Sequence, residues 1–327
     1  MSVSIQNLEY FSRFGWVASK QALGLPSKSD KTFFVERLSR LLRSNRVAKT
    51  TKVLALGKED GAGSQALGAM SAINFARAHT IRYVHKPFRV VEHAEPGIEN
   101  WAAKWESYFN LGRGELSVAT CAAPMVPIEK FLRDPSLWQQ GVTVCAEHFL
   151  HYALLEPQSW GGVRDSLQSK YSNYKAALPR SLKVAVHVRR GDVSLQCSKT
   201  ARSFTPNHVF LKTLEILECH FRSKRMEFVL DVYSQGEPEQ FREFAELGCR
   251  LWLDEPAIDT HEALVNADVL LMSKSGFSYT AGLLCKGTVL YDPQKYPPAP
   301  WWILRDSAGT VAGGALDRIG SSRHLQS

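Results

Sequence analysis

The second half of the chain alternates short apolar runs with helical patterns in strict order. The apolar runs lie at 183–189, 226–234, 250–254, 268–273 and 288–292, and the helical patterns between them lie at 206–222, 238–247, 259–266 and 277–286. Such alternation is typical of a parallel sheet that carries helices on both faces. The sequence therefore predicts a Rossmann-like unit here.

The first half contains a similar but less regular pattern. An apolar strand at 51–57 leads into the Gly-rich run 58–64, a helical stretch at 65–79 and a second strand at 82–87, which together make a βαβ unit. Further along, helical stretches are predicted near 98–109, 145–155 and 164–176. The chain has 327 residues, more than a single core of about 250–300 residues usually accommodates.

We therefore expect an α/β protein with two Rossmann-like domains that face a cleft. The predicted division is a basic helical arm at 1–50, an N-terminal domain at 51–178, a C-terminal domain at 179–295 and a tail at 296–327. In open parallel sheets, ligands bind beyond the carboxyl ends of the strands, so the residues that follow the strands are the candidate site residues.

Positive charge is concentrated at the amino terminus. Residues 1–52 hold ten basic and three acidic side chains, which accounts for seven of the eight net positive charges. The remainder is nearly neutral, which disfavours a nucleic-acid-binding body. Within the arm, 31–46 has a helical apolar face with Asp30 as a candidate N-cap. This helix either docks on the body with its basic face in solvent or contacts a membrane surface.

Cysteine spacing and hydropathy exclude several protein classes. The six cysteines lie 22 to 52 residues apart and form no CxxC or CxxH pair, so a structural zinc site is not expected. Free thiols in a reducing compartment fit this pattern better than disulfides. No run approaches the roughly 20 apolar residues that span a bilayer, and 1–16 lacks the apolar core of a signal peptide. We expect a cytoplasmic location.

The end of the strand VAVHVRRGD (184–192) carries unusual side chains. The two-residue period of a strand places His187 and Arg189 on one face and directs Arg190 away from Arg189. A histidine and an arginine at a buried strand end need partners, and an arginine fork matches phosphate geometry well. The alternative is that Arg189 pairs with a carboxylate inside the domain.

A second strand end, in the segment DVLLMSKSGFSYT (268–280), is rich in serine. An apolar strand runs into Ser273, Ser275, Gly276 and Ser278, and a helix follows. Hydroxyls and free backbone N–H groups at a helix N-terminus form an anion site. Together with Arg189, this loop predicts a pyrophosphate clamp. Simple capping of the helix would explain one serine but not all three.

Other phosphate-binding and metal-binding signals are absent from the sequence. There is no GxxxxGK[ST] motif, and the glycines at 61 and 63 are not followed by a third at dinucleotide-binding spacing. No DxD occurs either, so no metal ligands are expected. Arginine and backbone dipoles would then have to meet the charge of a bound diphosphate.

These two strand ends resemble motifs of a known enzyme family. Residues 187–192 fit the pattern HxRRxD, and 273–279 are similar to the segment SNSSFSWW, with Phe277 and Ser278 matching directly. This ordered pair resembles the GDP-fucose-dependent fucosyltransferases, a superfamily that includes the α1,2-, α1,6- and protein O-fucosyltransferases. The resemblance covers 183–292 well and 51–88 loosely.

The resemblance implies a GT-B glycosyltransferase fold with GDP-fucose bound in the C-terminal domain. Arg189 would hold the β-phosphate, His187 would lie near the guanine and the fucose, and Asp259 would be the carboxylate that reads guanine. The alternative for Asp259 is an N-cap that forms a capping box with Glu262. The implied donor-binding set is His187, Arg189, Arg190, Asp192, Asp259, Ser273, Ser275, Gly276, Phe277 and Ser278.

The catalytic base is less clearly marked by the resemblance. Some relatives carry a glutamate five residues after the motif aspartate, where this sequence has Cys197. Others take the base from the first Gly-rich loop, which here offers Asp60 and Glu59. Asp60 is slightly favoured because it directly precedes the turn at 61–63. Both carboxylates could equally be solvated surface charges.

Together these features predict an inverting, metal-independent transfer of L-fucose from GDP-fucose to a hydroxyl of a glycan or glycoconjugate acceptor. Arg189 is expected to be catalytic with Asp60 or Glu59, and no cofactor beyond the donor and no nucleic-acid partner are expected. Two alternatives stay open: a GT-B transferase for another nucleotide sugar, and a non-catalytic lectin-like or scaffold relative.

Overall fold

The computed structural model describes residues 31–57, 59–147, 149–175, 181–198, 200–312 and 314–319. Within these ranges, the strands form one five-stranded and one six-stranded sheet. Every pair of neighbouring strands in the two sheets is parallel. The predicted α/β architecture, with two Rossmann-like units, is confirmed.

The first sheet has the strand order β3-β2-β1-β5-β4. The strands of this sheet and the helices of the same half of the chain are, in chain order, α1 (Lys31–Arg43), β1 (Lys52–Ala55), α2 (Ala62–Ala78), β2 (Arg82–His85), α3 (Trp101–Phe109), β3 (Leu116–Ser117), β4 (Met125–Pro127), α4 (Ile128–Arg133), β5 (Thr143–Ala146), α5 (Tyr152–Leu155) and α6 (Arg164–Lys170). Short 3₁₀ turns lie at Pro135–Leu137, Phe149–His151 and Pro157–Gly162.

The second sheet has the order β11-β10-β9-β6-β7-β8. Its elements are β6 (Leu182–His187), α7 (Asn207–Ser223), β7 (Phe228–Ser234), α8 (Arg242–Glu246), β8 (Arg250–Leu253), α9 (Ala257–Val265), β9 (Val269–Leu271), α10 (Gly276–Leu284), β10 (Thr288–Tyr291) and β11 (Ile303–Leu304), with 3₁₀ turns at Ala201–Ser203, Pro238–Phe241 and Ala315–Arg318. This is the doubly wound dinucleotide-fold order, whose switch point lies between β6 and β9.

Two local predictions for the first half are corrected. The stretch near 145–155 is not helical throughout, because Thr143–Ala146 forms β5 beside β1. All four of its residues are buried, and a short buried run has no periodicity that separates strand from helix. The Gly-rich run 58–64 is not a loop throughout either. Gly61 is the N-cap of α2, and the helix begins at Ala62.

The described part of the predicted N-terminal arm is a docked helix. Val35 and Leu38 of α1 are fully buried and belong to the main core, and α1 packs against α4 and α5. This is the docked alternative of the sequence analysis. Residues 1–30, including Asp30, lie outside the described residues, and contact of the arm with a membrane stays a prediction. In the described ranges, no helix has the length and apolarity needed to cross a membrane.

The segment predicted as a tail contributes to the second sheet. Ile303 and Leu304 form β11, which pairs with β10. The next residue, Arg305, is fully buried and lies 3.1 Å from Asp292 in an ion pair. The described tail residues thus pack with the C-terminal unit, while the division into four domains stays a prediction. The six cysteines all lie in the described part and form no disulfide.

One hydrophobic core extends between the two sheets. It includes Val53 and Met70 from the first half and Leu270 and Tyr279 from the second, all fully buried or nearly so. A separate core around Val184 covers the other face of the second sheet. Because the two halves share buried apolar surface, their relative position is set by packing rather than by the connecting chain alone.

Buried polar contacts also join the two halves. The His261 imidazole of α9 is fully buried, with Nδ1 2.8 Å from the Tyr108 hydroxyl of α3 and Nε2 3.0 Å from the Thr280 hydroxyl of α10. Burial lowers the pKa of His261 to about 3, so the ring is neutral at physiological pH. Glu95 accepts a hydrogen bond from the Ala257 N–H at the start of α9.

The main chains of the two halves pack tightly against each other at Gly63, in the first turn of α2. A Cβ atom on Gly63 would lie 2.6 Å from the main-chain N and Cα of Phe277 in α10. On the other side, a Cβ on Gly276 would lie 3.4 Å from the Ser64 N. Two helix N-termini therefore meet side by side, and only a residue without a side chain fits at position 63.

Replacement of Gly63 by alanine should destabilise the protein by about 1–3 kcal/mol, because a packed main chain cannot move aside as a side-chain tip can. Gly68→Ala is the matched control: it lies in the same helix, nothing lies within 4 Å of its added Cβ, and it should stabilise the protein by up to about 1 kcal/mol. Urea unfolding measures both variants. Equal stabilities would contradict the close contact.

Candidate functional site

A cleft of about 770 Å³ lies between the carboxyl ends of the two sheets. Such a volume is typical of small-molecule sites. The first half contributes Asp60–Ser64, Glu92, His93, Trp101 and Trp105, and the second contributes 187–192, Ser234, Gln235, Glu255, Ala257, Thr260, 275–277, Lys295 and Tyr296. Because β6 and β9 are adjacent, the two strand ends singled out in the sequence lie together in this cleft.

Arg189 follows β6, and its guanidinium is held by the Asp192 carboxylate and by a main-chain carbonyl. Its Nε and Nη2 donate to the two carboxylate oxygens of Asp192 at 3.1 and 2.6 Å, and its Nη1 donates to the Lys274 carbonyl at 3.0 Å. The carboxylate pairing considered in the sequence analysis therefore exists, with Arg189 still lining the cleft. A guanidinium has five N–H donors, so two remain without a partner among the described residues.

The neighbouring Arg190 has a different role. Its guanidinium donates to the carbonyls of Arg189 and Thr205 and to the Asn207 side chain, and it lies 4.2 Å from the ring centroid of Phe204. Burial lowers its pKa to about 10, which leaves it charged at neutral pH. Although Arg190 also lines the cleft, its contacts indicate that it braces the turn.

The turn itself depends on Gly191, whose φ is +74°. Side chains rarely adopt this left-handed conformation, and glycine does so at little cost. The turn returns the chain so that Asp192 reaches the Arg189 side chain three residues back. The backbone just before this turn is held by a side chain of β7, because the Ser234 hydroxyl donates to the Val188 carbonyl at 2.7 Å.

His187 is held by two of the three serines. Its Nδ1 contacts the hydroxyls of Ser278 and Ser273, the second at 3.0 Å, and its ring lies 5.3 Å from the ring of Phe277. Burial, with a smaller contribution from Arg189, lowers the pKa of His187 to about 3. The ring is therefore neutral, and Nε2 has no hydrogen-bond partner among the described residues.

The three serines thus have different positions. Ser275 is the N-cap of α10 and accepts a hydrogen bond from the Ser278 N–H at 2.9 Å. Ser273 and Ser278 lie behind His187 and do not line the cleft. The capping alternative explains Ser275, whereas the other two serines hold His187. Of the predicted loop residues, Ser275, Gly276 and Phe277 face the cleft.

The first turns of α2 and α10 both present their positive dipole ends to the cleft. Neither first turn contains an acidic residue, and Gly61 gives α2 no side-chain cap. A helix N-terminus behaves as roughly half a positive charge. Two such ends in contact repel each other, and an anion in the cleft between them would be stabilised by both. Arg189 adds N–H donors at the same edge.

The two candidate base residues lie in different places. Asp60 lines the cleft, and its Oδ2 accepts a hydrogen bond from the Ser64 hydroxyl at 2.6 Å. Its Oδ1 is buried and has no hydrogen-bond partner among the described residues. Glu59 instead lines a separate cavity of about 80 Å³ within the first half, beside Lys86 and Arg89.

Asp259 is not in the cleft. The helix α9 starts earlier than predicted, with Pro256 as its N-cap, so Asp259 is an exposed residue of its first turn and caps nothing. Glu255, which follows β8, is the exposed carboxylate of this region that lines the cleft. The sequence signal that could have identified Glu255 is its position directly after a predicted strand.

The first-half wall of the cleft was not predicted from the sequence. Trp101 and Trp105 come from α3, and the exposed His93 lies over Gly61. The main-chain φ of His93 is +60°, an uncommon conformation for a residue with a side chain. No periodic pattern marks this loop. Among the described residues, no group of His, Cys, Asp and Glu is arranged to hold a metal ion.

Comparisons with known proteins give few matches. No protein-family model and no curated protein matches the chain. Among solved structures, the chain is similar to fucosyltransferase NodZ from Bradyrhizobium, with 12% identity and a TM-score of 0.38 over 72% of this chain and 93% of that one. NodZ α-1,6-fucosyltransferase co-crystallised with GDP matches at 11% identity and a TM-score of 0.36, over 72% and 92%. At TM-scores this low, the similarity does not establish a function for this chain.

Proposed function

We propose that the protein is a glycosyltransferase that moves L-fucose from GDP-fucose to a hydroxyl of a glycan or glycoconjugate acceptor. The observation that carries the proposal is the convergence of Arg189 and two helix N-termini in one cleft. Each of these groups favours an anion, and their combination suits a diphosphate. The HxRRxD resemblance supplies the choice of GDP-fucose among nucleotide sugars.

The proposed chemistry follows from the positions of the charges. The acceptor oxygen attacks the anomeric carbon of fucose from the face opposite the diphosphate, so the configuration inverts. The bond from that carbon to the phosphate oxygen breaks, and its electron pair stays on GDP. Arg189 and the first turns of α2 and α10 stabilise this growing charge. No metal ion is required in this scheme, so activity should survive chelation by EDTA.

Asp60 is the proposed proton acceptor. It lines the cleft with Arg189, the Ser64 hydroxyl orients one carboxylate oxygen, and the other oxygen has no partner among the described residues. A buried carboxylate oxygen without a partner is costly and often marks a functional group. General-base catalysis of this kind contributes about 10²–10⁴ in rate.

Glu255 is the proposed reader of the guanine base. Guanine presents two parallel donors, the N1–H and the exocyclic amine, which one carboxylate accepts together. Adenine and uracil do not present this pair. Glu255 lines the cleft beside the strand ends of the second sheet, whereas Asp259 does not.

Arg189→Ala should lower transfer from GDP-fucose by about 10²–10³ or more, because a preorganised donor to the leaving group is lost. Arg189→Lys should recover little, since a point charge cannot replace the fork. Turnover assays with circular-dichroism melting measure activity and fold together. Arg222→Ala, which removes an exposed arginine–glutamate pair of α7, is the control. Near-normal turnover in Arg189→Ala would overturn the phosphate role.

Asp60→Asn should reduce transfer by about 10² or more, because the amide cannot take the acceptor proton. Affinity for GDP should change little. Glu59→Gln, one residue away but in the separate cavity, should keep wild-type rates. Rates are compared by steady-state kinetics and GDP affinity by calorimetry. If Glu59→Gln loses activity and Asp60→Asn does not, the base assignment is wrong.

Glu255→Gln should weaken GDP binding by about tenfold and reduce the preference for GDP over ADP and UDP, because a bidentate acceptor is lost. Asp259→Asn is the matched control and should leave both unchanged. Competition of GDP, UDP and ADP for the site measures the preference. Wild-type protein that binds UDP or ADP as tightly as GDP would point to another nucleotide sugar, and detectable transfer excludes a purely lectin-like role.

A further inference from the structure

The loop that follows β10, residues 293–298, forms one edge of the cleft. It lines the cleft through Lys295 and Tyr296. Buried tyrosines hold it in place, since the Tyr279 hydroxyl of α10 donates to the Pro297 carbonyl at 2.7 Å and the Tyr291 hydroxyl of β10 donates to the Tyr296 carbonyl. The loop is therefore positioned by α10, the same helix that presents its N-terminus to the cleft.

Lys295 is an exposed cation in this cleft. Its ammonium group lies 4.6 Å from the ring centroid of Tyr296, and it has no ion-pair partner among the described residues. The two arginines of the cleft are both held by other groups. Arg189 is paired with Asp192, and Arg190 is engaged by Thr205, Asn207 and the Arg189 carbonyl.

The cleft is short of positive charge, and Lys295 supplies one. Asp192 offsets the charge of Arg189, and three further carboxylates, Asp60, Glu92 and Glu255, line the same cavity. A nucleoside diphosphate carries more than one negative charge at neutral pH. Bringing it into such a cleft therefore favours a cation that no carboxylate neutralises and that, unlike Arg190, is not engaged in bracing a turn.

The strand order of the second sheet places Lys295 on the side of the α10 N-terminus opposite Arg189. The strand β10 is the neighbour of β9, and β9 is the neighbour of β6. The loops after these three strands therefore follow one another along the cleft edge, with the α10 N-terminus in the middle. Arg189 lies on one flank of that N-terminus and Lys295 on the other.

We propose that Lys295 binds the diphosphate of the nucleotide sugar opposite Arg189 and stabilises it as the leaving group. The inference rests on the proposed function, because it requires a nucleoside diphosphate donor. As the anomeric C–O bond breaks, its electron pair remains on the β-phosphate oxygen and the charge there grows. An ammonium group at this point stabilises the transition state more than the ground state.

The test is a comparison of Lys295→Met with Lys286→Met in the full chain. Methionine keeps an apolar stem over Tyr296 and removes the charge. Lys286 is the matched control because its ammonium also lies over a tyrosine ring, 3.8 Å from the centroid of Tyr174, and it does not line the cleft. Calorimetry with GDP, GMP and guanosine separates diphosphate binding from base binding.

Lys295→Met should weaken GDP binding by about tenfold and guanosine binding by less than twofold, and it should lower kcat for transfer. The difference should shrink at high salt, because the ammonium group is exposed. Lys295→Arg should restore most of the affinity, and Lys286→Met should match wild type. GDP binding unchanged in Lys295→Met, or guanosine binding reduced as much as GDP binding, overturns the inference.

A second arm separates this inference from the proposed donor. Wild type and Lys295→Met are also titrated with UDP, ADP and inorganic pyrophosphate. If all diphosphates bind equally and all weaken in Lys295→Met, the choice of GDP fails and the role of Lys295 is upheld. If wild type binds GDP selectively and Lys295→Met binds it equally well, the proposed function is upheld and Lys295 is excluded. If wild type binds none of these probes, both fail.

Discussion

The contact between the first turns of α2 and α10 is the constraint on which the cleft depends. Gly63 lets the main chains approach so closely that a single Cβ would be 2.6 Å from Phe277. This brings the N-terminus of one helix from each half to the same point. The arrangement accumulates positive potential without any buried charged side chain, so it avoids the desolvation cost that a buried lysine or arginine would carry.

The surrounding packing keeps that contact in register. The shared core, the buried His261 with its partners on α3 and α10, and the Glu95 cap on α9 all cross between the halves. Dipoles held rigidly need no reorganisation when charge develops in a reaction, which is where electrostatic catalysis is most effective. A neutral His261 suits this role, because a buried imidazolium here would add a charge without a carboxylate partner.

The motif at 187–192 distributes separate tasks among consecutive residues. His187 is neutral and anchored by hydroxyls, Arg190 braces the turn, Gly191 allows its left-handed conformation, and Asp192 orients Arg189. Arg189 lines the cleft and keeps N–H groups that no described residue takes up. The spacing of the motif is thus explained by the geometry of one turn rather than by six contacts to one ligand.

The sequence by itself determined the architecture and one edge of the site. Alternating strands and helices specified parallel sheets, and the motifs at 187–192 and 273–278 were located because residues that follow parallel strands share an edge. Other features were decided only by the tertiary structure. Thr143–Ala146 is a strand because it lies between β1 and β4, which its short apolar run could not indicate.

The same holds for the choice among candidate side chains. Asp60 and Glu59 are adjacent in sequence but line different cavities, and Glu255 rather than Asp259 faces the cleft. Lys295 belongs to no sequence motif, and its position in the cleft depends on tyrosines from α10 and β10. Local patterns encode where strands and helices begin, because periodicity and caps are short-range. Which carboxylate or ammonium group reaches a ligand depends on how two distant segments pack, and no local pattern contains that information.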